Sequence, residues 1–447
     1  MAKPKTLPLI AVEDGKLPST LPPMQSNWAK AQGFTGQRGR LLPVPGEEGS
    51  LAGYLFGLGE TAGRSPLILG TAAAALEPGR YSLAGDFGDP TIAALAFRLG
   101  AYRYDRYRKS REPVLLDDVA GADMAEVTRL ADAAYLARDL VNTPANDLGP
   151  AALEREIRSF CKRHKLEVNV IVGDDLLKEN FPMIHAVGRA ATEAPRLVDF
   201  SWGRAKDPKV TLVGKGVTFD TGGLDIKPSS GMLLMKKDMG GAANILGLAH
   251  AIIDARLRVR LRVLIPIVEN AIAGPAFRPG DILRARNGST VEIGNTDAEG
   301  RLILGDALAL ADEEGPELVV DMATLTGAAR AALGPELPPL YSTDDDVAAG
   351  IIAAGAPSDD LLWRMPLHAP YESMLSSKVA DINNAGSGGF AGSITAALFL
   401  KRFVKQAKAW VHLDIYAWAP EARPGRSHGG TDQGIRAVYH YLRQRYS

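Results

Sequence analysis

From residue 144 onward the chain alternates short apolar runs with helical patterns, and this alternation constrains its fold more than any other feature. Runs at 167–172, 197–201, 210–213, 259–268, 317–322 and 409–415 read as strands. Segments 154–165, 242–255, 302–314 and 393–405 carry helical patterns between them. Alternation of this kind predicts an α/β domain with a mixed, largely parallel central sheet flanked by helices. In such sheets, ligand sites gather at the carboxyl ends of the strands.

With 447 residues the chain is too long for one ordinary core, and two domains are expected. Residues 7–12, 51–58 and 66–74 read as strands and 90–107 as a helix, which predicts a smaller N-terminal α/β domain over 1–124. Segment 125–141 is rich in Ala, Leu, Arg and Glu and runs into Asn142-Thr143-Pro144, where proline stops a helix. It is expected to serve as a connecting helix over 125–143, leaving 144–447 for the larger domain.

Composition narrows the class. Apolar residues make up 46% and charged residues 23%, with a formal net charge of −1. No global field then draws the chain toward nucleic acid or anionic lipid, and neither partner is expected. The basic stretch 103–111 reads as a solvated face or loop. A single cysteine, Cys161, rules out an internal disulfide framework and fits a reducing compartment. It shares a helical face with Ile157 and Phe160, so packing is expected of it. No apolar run is long enough to cross a membrane and the first residues carry no signal-peptide pattern, so a cytoplasmic location is expected.

Two segments carry chemistry. In residues 210–243 an apolar strand runs into Gly214-Lys215-Gly216, followed by Asp220, Gly222-Gly223, Lys227, Asp238 and Gly240-Gly241. Glycines beside charged residues let backbone approach a ligand. A phosphate loop is not matched: no hydroxyl follows Lys215, and Phe219 stands where a dinucleotide fingerprint needs its third glycine. In residues 292–304 Asp297 and Glu299 lie two apart. In an extended chain that spacing would turn both to one side, just before a helix from Leu302. A capped helix start with acidic residues against the dipole would account for this segment alone. Two such clusters in one α/β domain favour a metal site.

The chain has seven histidines, and none forms a His-Glu-x-x-His pair. A histidine-ligated zinc site is therefore not expected. Asp220, Asp238, Asp297 and Glu299 could instead build an oxygen-rich site, in which cations relieve the repulsion between carboxylates. Two divalent ions roughly 3.5–4 Å apart could share such ligands and activate a bridging water. Oxygen ligands suit Mn²⁺ or Mg²⁺, and zinc also accepts them. The residues by themselves point to a two-metal hydrolase of unspecified substrate, a phosphoesterase included.

Residues 295–302 (Asn-Thr-Asp-Ala-Glu-Gly-Arg-Leu) resemble the signature of the cytosolic leucyl aminopeptidase family. Residues 213–223 and the later Lys-x-Asp-Met-Gly-Gly-Ala-Ala are similar to the family's other metal segment, as are stretches at 142–146, 322–327 and 380–384. The likeness covers roughly 130–447, and the first 125 residues would be a divergent form of the family's smaller domain.

The resemblance implies a metal-dependent aminopeptidase acting on peptides with a free N-terminus. Asp220 and Glu299 would bridge two cations (Mn²⁺ or Zn²⁺, with Mg²⁺ as an alternative). Asp297 would complete one site, and Lys215 and Asp238 the other. Lysine ligates only when neutral. Lys227 would polarise the scissile carbonyl, and Arg301 would hold a bicarbonate that relays the proton. Met235, Thr324 and Gly327 would line the pocket for the first residue, favouring leucine-like side chains with broad tolerance. The resemblance also implies a homohexamer, and nucleic-acid binding occurs in some relatives. His428, in the polar stretch 420–431, reads as a solvated loop residue that could touch substrate.

Overall fold

A computed structural model describes residues 6–447 and resolves two compact units. The first comprises residues up to 135 with the short segments 357–359 and 419–428; the second comprises 136–356, 360–418 and 429–447.

The first unit holds a five-stranded sheet. Its centre is the strand Thr6–Glu13, parallel to Leu51–Gly59 on one side and to Gly79–Ala84 on the other. Leu41–Pro45 runs antiparallel at one edge and Val114–Leu116 parallel at the other. Two expectations need correction here. Residues 66–74, expected as a strand, instead lead into the helix Leu69–Ala75. A run of four alanines favours helix, and a short apolar run carries too little periodicity to tell the two apart. The helix expected over 90–107 ends at Ala101. It starts cleanly, with Pro90 in the first turn and the Asp89 carboxylate accepting from Ile92 N at 2.9 Å. Beyond Ala101 the charged run 103–111 offers no apolar face to bury. It lies as a loop whose basic side chains are exposed.

The second unit is built on a nine-stranded mixed sheet flanked by helices. Four parallel strands form its centre, in the order Ala409–Asp414, Leu318–Ala323, Lys209–Gly214, Arg260–Asn270. Every residue of Leu318–Ala323 and of Ala409–Asp414 is buried, as expected for strands covered on both faces. Antiparallel neighbours flank these strands, Arg196–Trp202 and then Val168–Val172 on one side and Pro339–Ser342 on the other, where the short parallel strand Trp363–Arg364 forms the edge. Several strands escaped the sequence reading, Pro339–Ser342 among them, and one of these positions the site. Gly216–Asp220 continues from Lys209–Gly214 after a break at Lys215 and pairs with the far end of Arg260–Asn270. At the break Lys215 N still donates to the Met322 carbonyl at 3.1 Å, and the Lys215 carbonyl accepts from Ala242 N at 2.9 Å.

Helices Gly240–Asp254 and Glu299–Asp312 cover this edge, and both are buried along nearly their whole length. Close approach of the first helix to the sheet depends on glycine. A Cβ on Gly241 would fall 2.1 Å from the Met322 carbonyl oxygen, a backbone atom that cannot swing aside. Cys161 is buried with Ile157 and Phe160, and burial pushes its thiol up to about 11.

Gly241→Ala is expected to destabilise the protein by about 1–3 kcal/mol through overpacking. Calorimetry would read this as a melting temperature several degrees lower, and an unchanged melting point would contradict the packing described.

Candidate metal centre

The site assembles where the parallel strands end. Lys215 follows Lys209–Gly214, Asp220 ends Gly216–Asp220, Asn270 ends Arg260–Asn270, Thr324 follows Leu318–Ala323 and Asp414 ends Ala409–Asp414. Asp238 sits in the 3-10 turn Met235–Met239, just ahead of the buried helix from Gly240. The helix expected from Leu302 starts at Glu299, so Asp297 and Glu299 are not two residues of one extended stretch. Asp297 lies in the turn before the helix and Glu299 is its first residue. The change of direction between them, rather than period-two alternation, brings their carboxylates together.

Carboxylate oxygens of Asp220, Asp297 and Glu299 lie within 4.8 Å of one another. Two lysines hold this acidic cluster together. Lys215 Nζ, buried, lies 2.8 Å from Asp238 Oδ2 and 3.0 Å from Glu299 Oε1, and donates to the Thr324 carbonyl at 3.0 Å. Lys227 Nζ lies 2.8 Å from Asp220 Oδ2 and pairs with Asp297. Asp220 Oδ1 also accepts from Gly222 N and Asn270 Nδ2, both at 2.8 Å. Thr324 Oγ1 donates to Asp238 at 2.9 Å. Lys215 has room only because Gly300 lacks a side chain: a Cβ there would sit 2.7 Å from Lys215 Nζ.

The electrostatics are those of a site short of positive charge. Burial, and then the nearby Asp220 carboxylate, push Glu299 up to about 8 and Asp297 up to about 6. Burial also raises Asp238, against the pull of Lys215. Burial opposes the charged form of Lys215, but Asp238, Glu299 and Asp220 together outweigh it and hold the ammonium well above its ordinary range. Glu299 Oε2 is buried without a hydrogen-bond donor. Carboxylates that retain protons near neutrality, around an oxygen with nothing to bind, make a donor set that fits divalent cations. Asp220, Asp297, Glu299, Asp238 and a deprotonated Lys215 are the residues that could hold them.

Every residue proposed from sequence for this chemistry borders one cavity of about 630 Å³ or the buried wall behind it. Lys215, Asp220, Lys227, Met235, Asp238, Asp297, Arg301, Thr324 and Gly327 line the cavity, and Glu299 lies behind Lys215. Arg301 donates to the Asn384 carbonyl at 2.6 Å, while its Nε is buried without an acceptor. Burial brings its guanidinium down to about 10. His428 is not brought to this cavity. It borders another one within the first unit, with Gly70, Thr71 and Arg423. Sequence reasoning missed Asn270, which fixes Asp220, and gave no role to Asn384 of the matched stretch 380–384, which accepts from Arg301 and donates to the Asn295 carbonyl at 2.8 Å. It also missed Lys237, Arg330 and Tyr416 on the cavity wall. The doubled lysine before Asp238 was a signal for the first of these three. Nothing local distinguishes the others.

Two outcomes follow from the raised carboxyls. Between the ordinary carboxylate range and about pH 8, the metal-free fold binds more protons than the unfolded chain. Its stability should therefore fall as pH rises through that window. Cations displace those protons, so the rise in melting temperature on adding Mn²⁺ should be larger at pH 8 than at pH 6. A rise independent of pH would contradict the assignment. Glu299→Gln should abolish high-affinity Mn²⁺ binding in a calorimetric titration while leaving the circular dichroism spectrum intact; retained affinity would count against Glu299 as a ligand.

Comparison with known proteins places this geometry in a family. The catalytic domain of the cytosol aminopeptidase family matches residues 135–439, and the M17 aminopeptidase N-terminal domain matches residues 7–116. The crystal structure of a cytosol aminopeptidase from Coxiella burnetii is 45% identical, with a TM-score of 0.94 over 100% of this chain and 99% of that one. The bottromycin maturation enzyme BotP, solved in complex with Mn, is 34% identical, with a TM-score of 0.90 over 98% of this chain and 99% of that one. A probable cytosol aminopeptidase of Sinorhizobium medicae is 39% identical over 94% of this chain and 90% of its own length. Among the described residues no helix is long and apolar enough to cross a membrane. With both domains matched and such relatives aligned along nearly all its length, the chain belongs to the cytosol aminopeptidase family, the M17 aminopeptidases.

Proposed function

We propose that this aminopeptidase works with two divalent cations and removes apolar N-terminal residues, leucine foremost, from peptides. Residues 144–447 would form the catalytic domain, 125–143 the connecting helix and 1–124 the smaller domain. The observation that carries the reading is the convergence of three carboxylate oxygens within 4.8 Å, braced by Lys215 and Lys227 and short of positive charge. Asp220 and Glu299 would be shared between the cations, with Asp297 completing one coordination set and Lys215 and Asp238 the other. Mn²⁺ or Zn²⁺ suits these ligands, with Mg²⁺ as an alternative. Bound there, such ions would supply a Lewis acid and a water nucleophile active at neutral pH.

The chain's own residues do the rest. A peptide's free α-amine, in its neutral form, would serve as a further ligand at this centre, which an internal amide nitrogen could not do, so trimming would be confined to the N-terminus. Lys227, free to donate once its carboxylates are otherwise engaged, faces the cavity and would steady the oxyanion that grows on the scissile carbonyl. Arg301, with its orphaned Nε, is the donor for a small anion such as bicarbonate that could take up a proton. With no histidine among the described residues lining the cavity, that role has no histidine candidate. Met235, Thr324 and Gly327 would bound the space for the first side chain, and Gly327 leaves it open. A homohexamer in the cytoplasm is the assembly and location that fit the family resemblance.

The purified protein should release p-nitroaniline from leucyl-p-nitroanilide, lose that activity to a chelator and regain it with Mn²⁺ or Zn²⁺. Undiminished turnover after chelation and dialysis would reject the metal-dependent mechanism. Lys227→Met should lower kcat by about two to three powers of ten, the usual cost of one lost oxyanion donor.

A further inference from the structure

One wall of the same cavity is basic, and peptide trimming as described above makes no use of it. Lys237 is 5% exposed, yet it borders the cavity. Its ammonium lies 4.6 Å from the centre of the Tyr416 ring. The guanidinium of Arg330, at the cavity rim, lies 5.1 Å from the same ring centre, and its Nη1 donates to Tyr416 Oη at 3.1 Å. Among the described residues, neither cation has a carboxylate within ion-pairing distance, and Lys237 has no hydrogen-bond acceptor.

The two acids that could have served are committed elsewhere. Asp238 is engaged by Lys215 at 2.8 Å and by Thr324. Asp414 accepts from Leu325 N, Thr326 N, Thr326 Oγ1 and Ser393 Oγ, at 2.6–3.1 Å. A buried ammonium faced only by an aromatic ring is costly, because a ring recovers a small part of the lost hydration. This buried ammonium and the exposed guanidinium of Arg330 flank one tyrosine at a cavity, and leave a place for an anion supplied from outside.

We propose that Lys237, Arg330 and Tyr416 form a subsite for a carboxylate of the substrate, paired with both cations and accepting the tyrosine hydroxyl's hydrogen bond. The proposal rests on the aminopeptidase reading of the adjoining cluster. Guanidinium and ammonium groups both make charge-assisted hydrogen bonds to carboxylates. Neutral leucyl substrates still fit along Met235 and Gly327, and the carboxylate adds to that binding. Two parts of a peptide carry this group: an aspartyl or glutamyl side chain at the N-terminus, or the free C-terminus of a dipeptide.

Mn²⁺-loaded wild-type protein should be assayed on two matched pairs: leucyl-glycine against leucyl-glycinamide, and glutamyl-p-nitroanilide against glutaminyl-p-nitroanilide. A charge-assisted hydrogen bond of about 1.5–3 kcal/mol corresponds to a preference of roughly ten- to a hundredfold in kcat/KM for the carboxylate-bearing member. The pair that shows it identifies the source. In Lys237→Met and in Arg330→Gln that ratio should collapse toward one, whatever happens to the absolute rates. Ratios near one in both pairs for the wild type overturn the subsite, as does a wild-type preference that survives both substitutions. If no peptide in either pair is cleaved, the aminopeptidase reading fails and the subsite fails with it. Cleavage of the neutral members without a carboxylate preference sinks the subsite alone.

Discussion

The buried ammonium of Lys215, clamped between Asp238 and Glu299, is the contact around which the second unit is organised. It sits at the break between two collinear strands, beneath the first turn of the helix Glu299–Asp312 and beside the helix that starts at Gly240. Removing one partner from such a cluster leaves an uncompensated charge in a low-dielectric interior, which costs more than the pair contributes. The surrounding glycines follow from it. Gly300 admits the lysine side chain, and Gly241 lets the helix close on Met322 in the neighbouring strand. Charge balance and close packing are here one constraint.

The same arrangement explains why the site suits cations. Four acids and two lysines at the edge of a dry sheet cannot all hold their ordinary protonation, so burial drives Glu299 and Asp297 toward their neutral forms. The lysines act as internal counter-ions that hold the carboxylates in place in the metal-free protein. In the proposed function, divalent ions would take over that neutralisation and leave Lys227 available to the substrate. No histidine lines the cavity among the described residues, so the cluster relies on carboxylates and lysines alone.

How much of this was legible beforehand varied with the kind of signal. The strands at the centre of the larger sheet were legible, because long, wholly buried apolar runs between helical patterns have few other uses. The helix at 69–75 was not, since a few alanines beside leucines fit either structure until the packing is known. The candidate ligand residues were legible through their unusual company of glycines and through a family signature. Their mutual placement was less so. An extended stretch from Asp297 to Glu299 is wrong in detail, yet the carboxylates meet because the chain turns into a helix between them.

The sequence by itself determined the fold class, the family and the set of acids and lysines that meet at the candidate metal centre, because each is written in local patterning or in a short contiguous motif. Only the tertiary structure decided what stands beside them. Asn270, Asn384, Arg330 and Tyr416 come from separate parts of the chain. They share one cavity only because parallel strands end at a common edge. Burial of Lys237 without an acid partner is likewise invisible in a list of residues, since it depends on which carboxylates other donors have already claimed. Long-range geometry sets the identity of neighbours, and neighbours set both charge state and specificity.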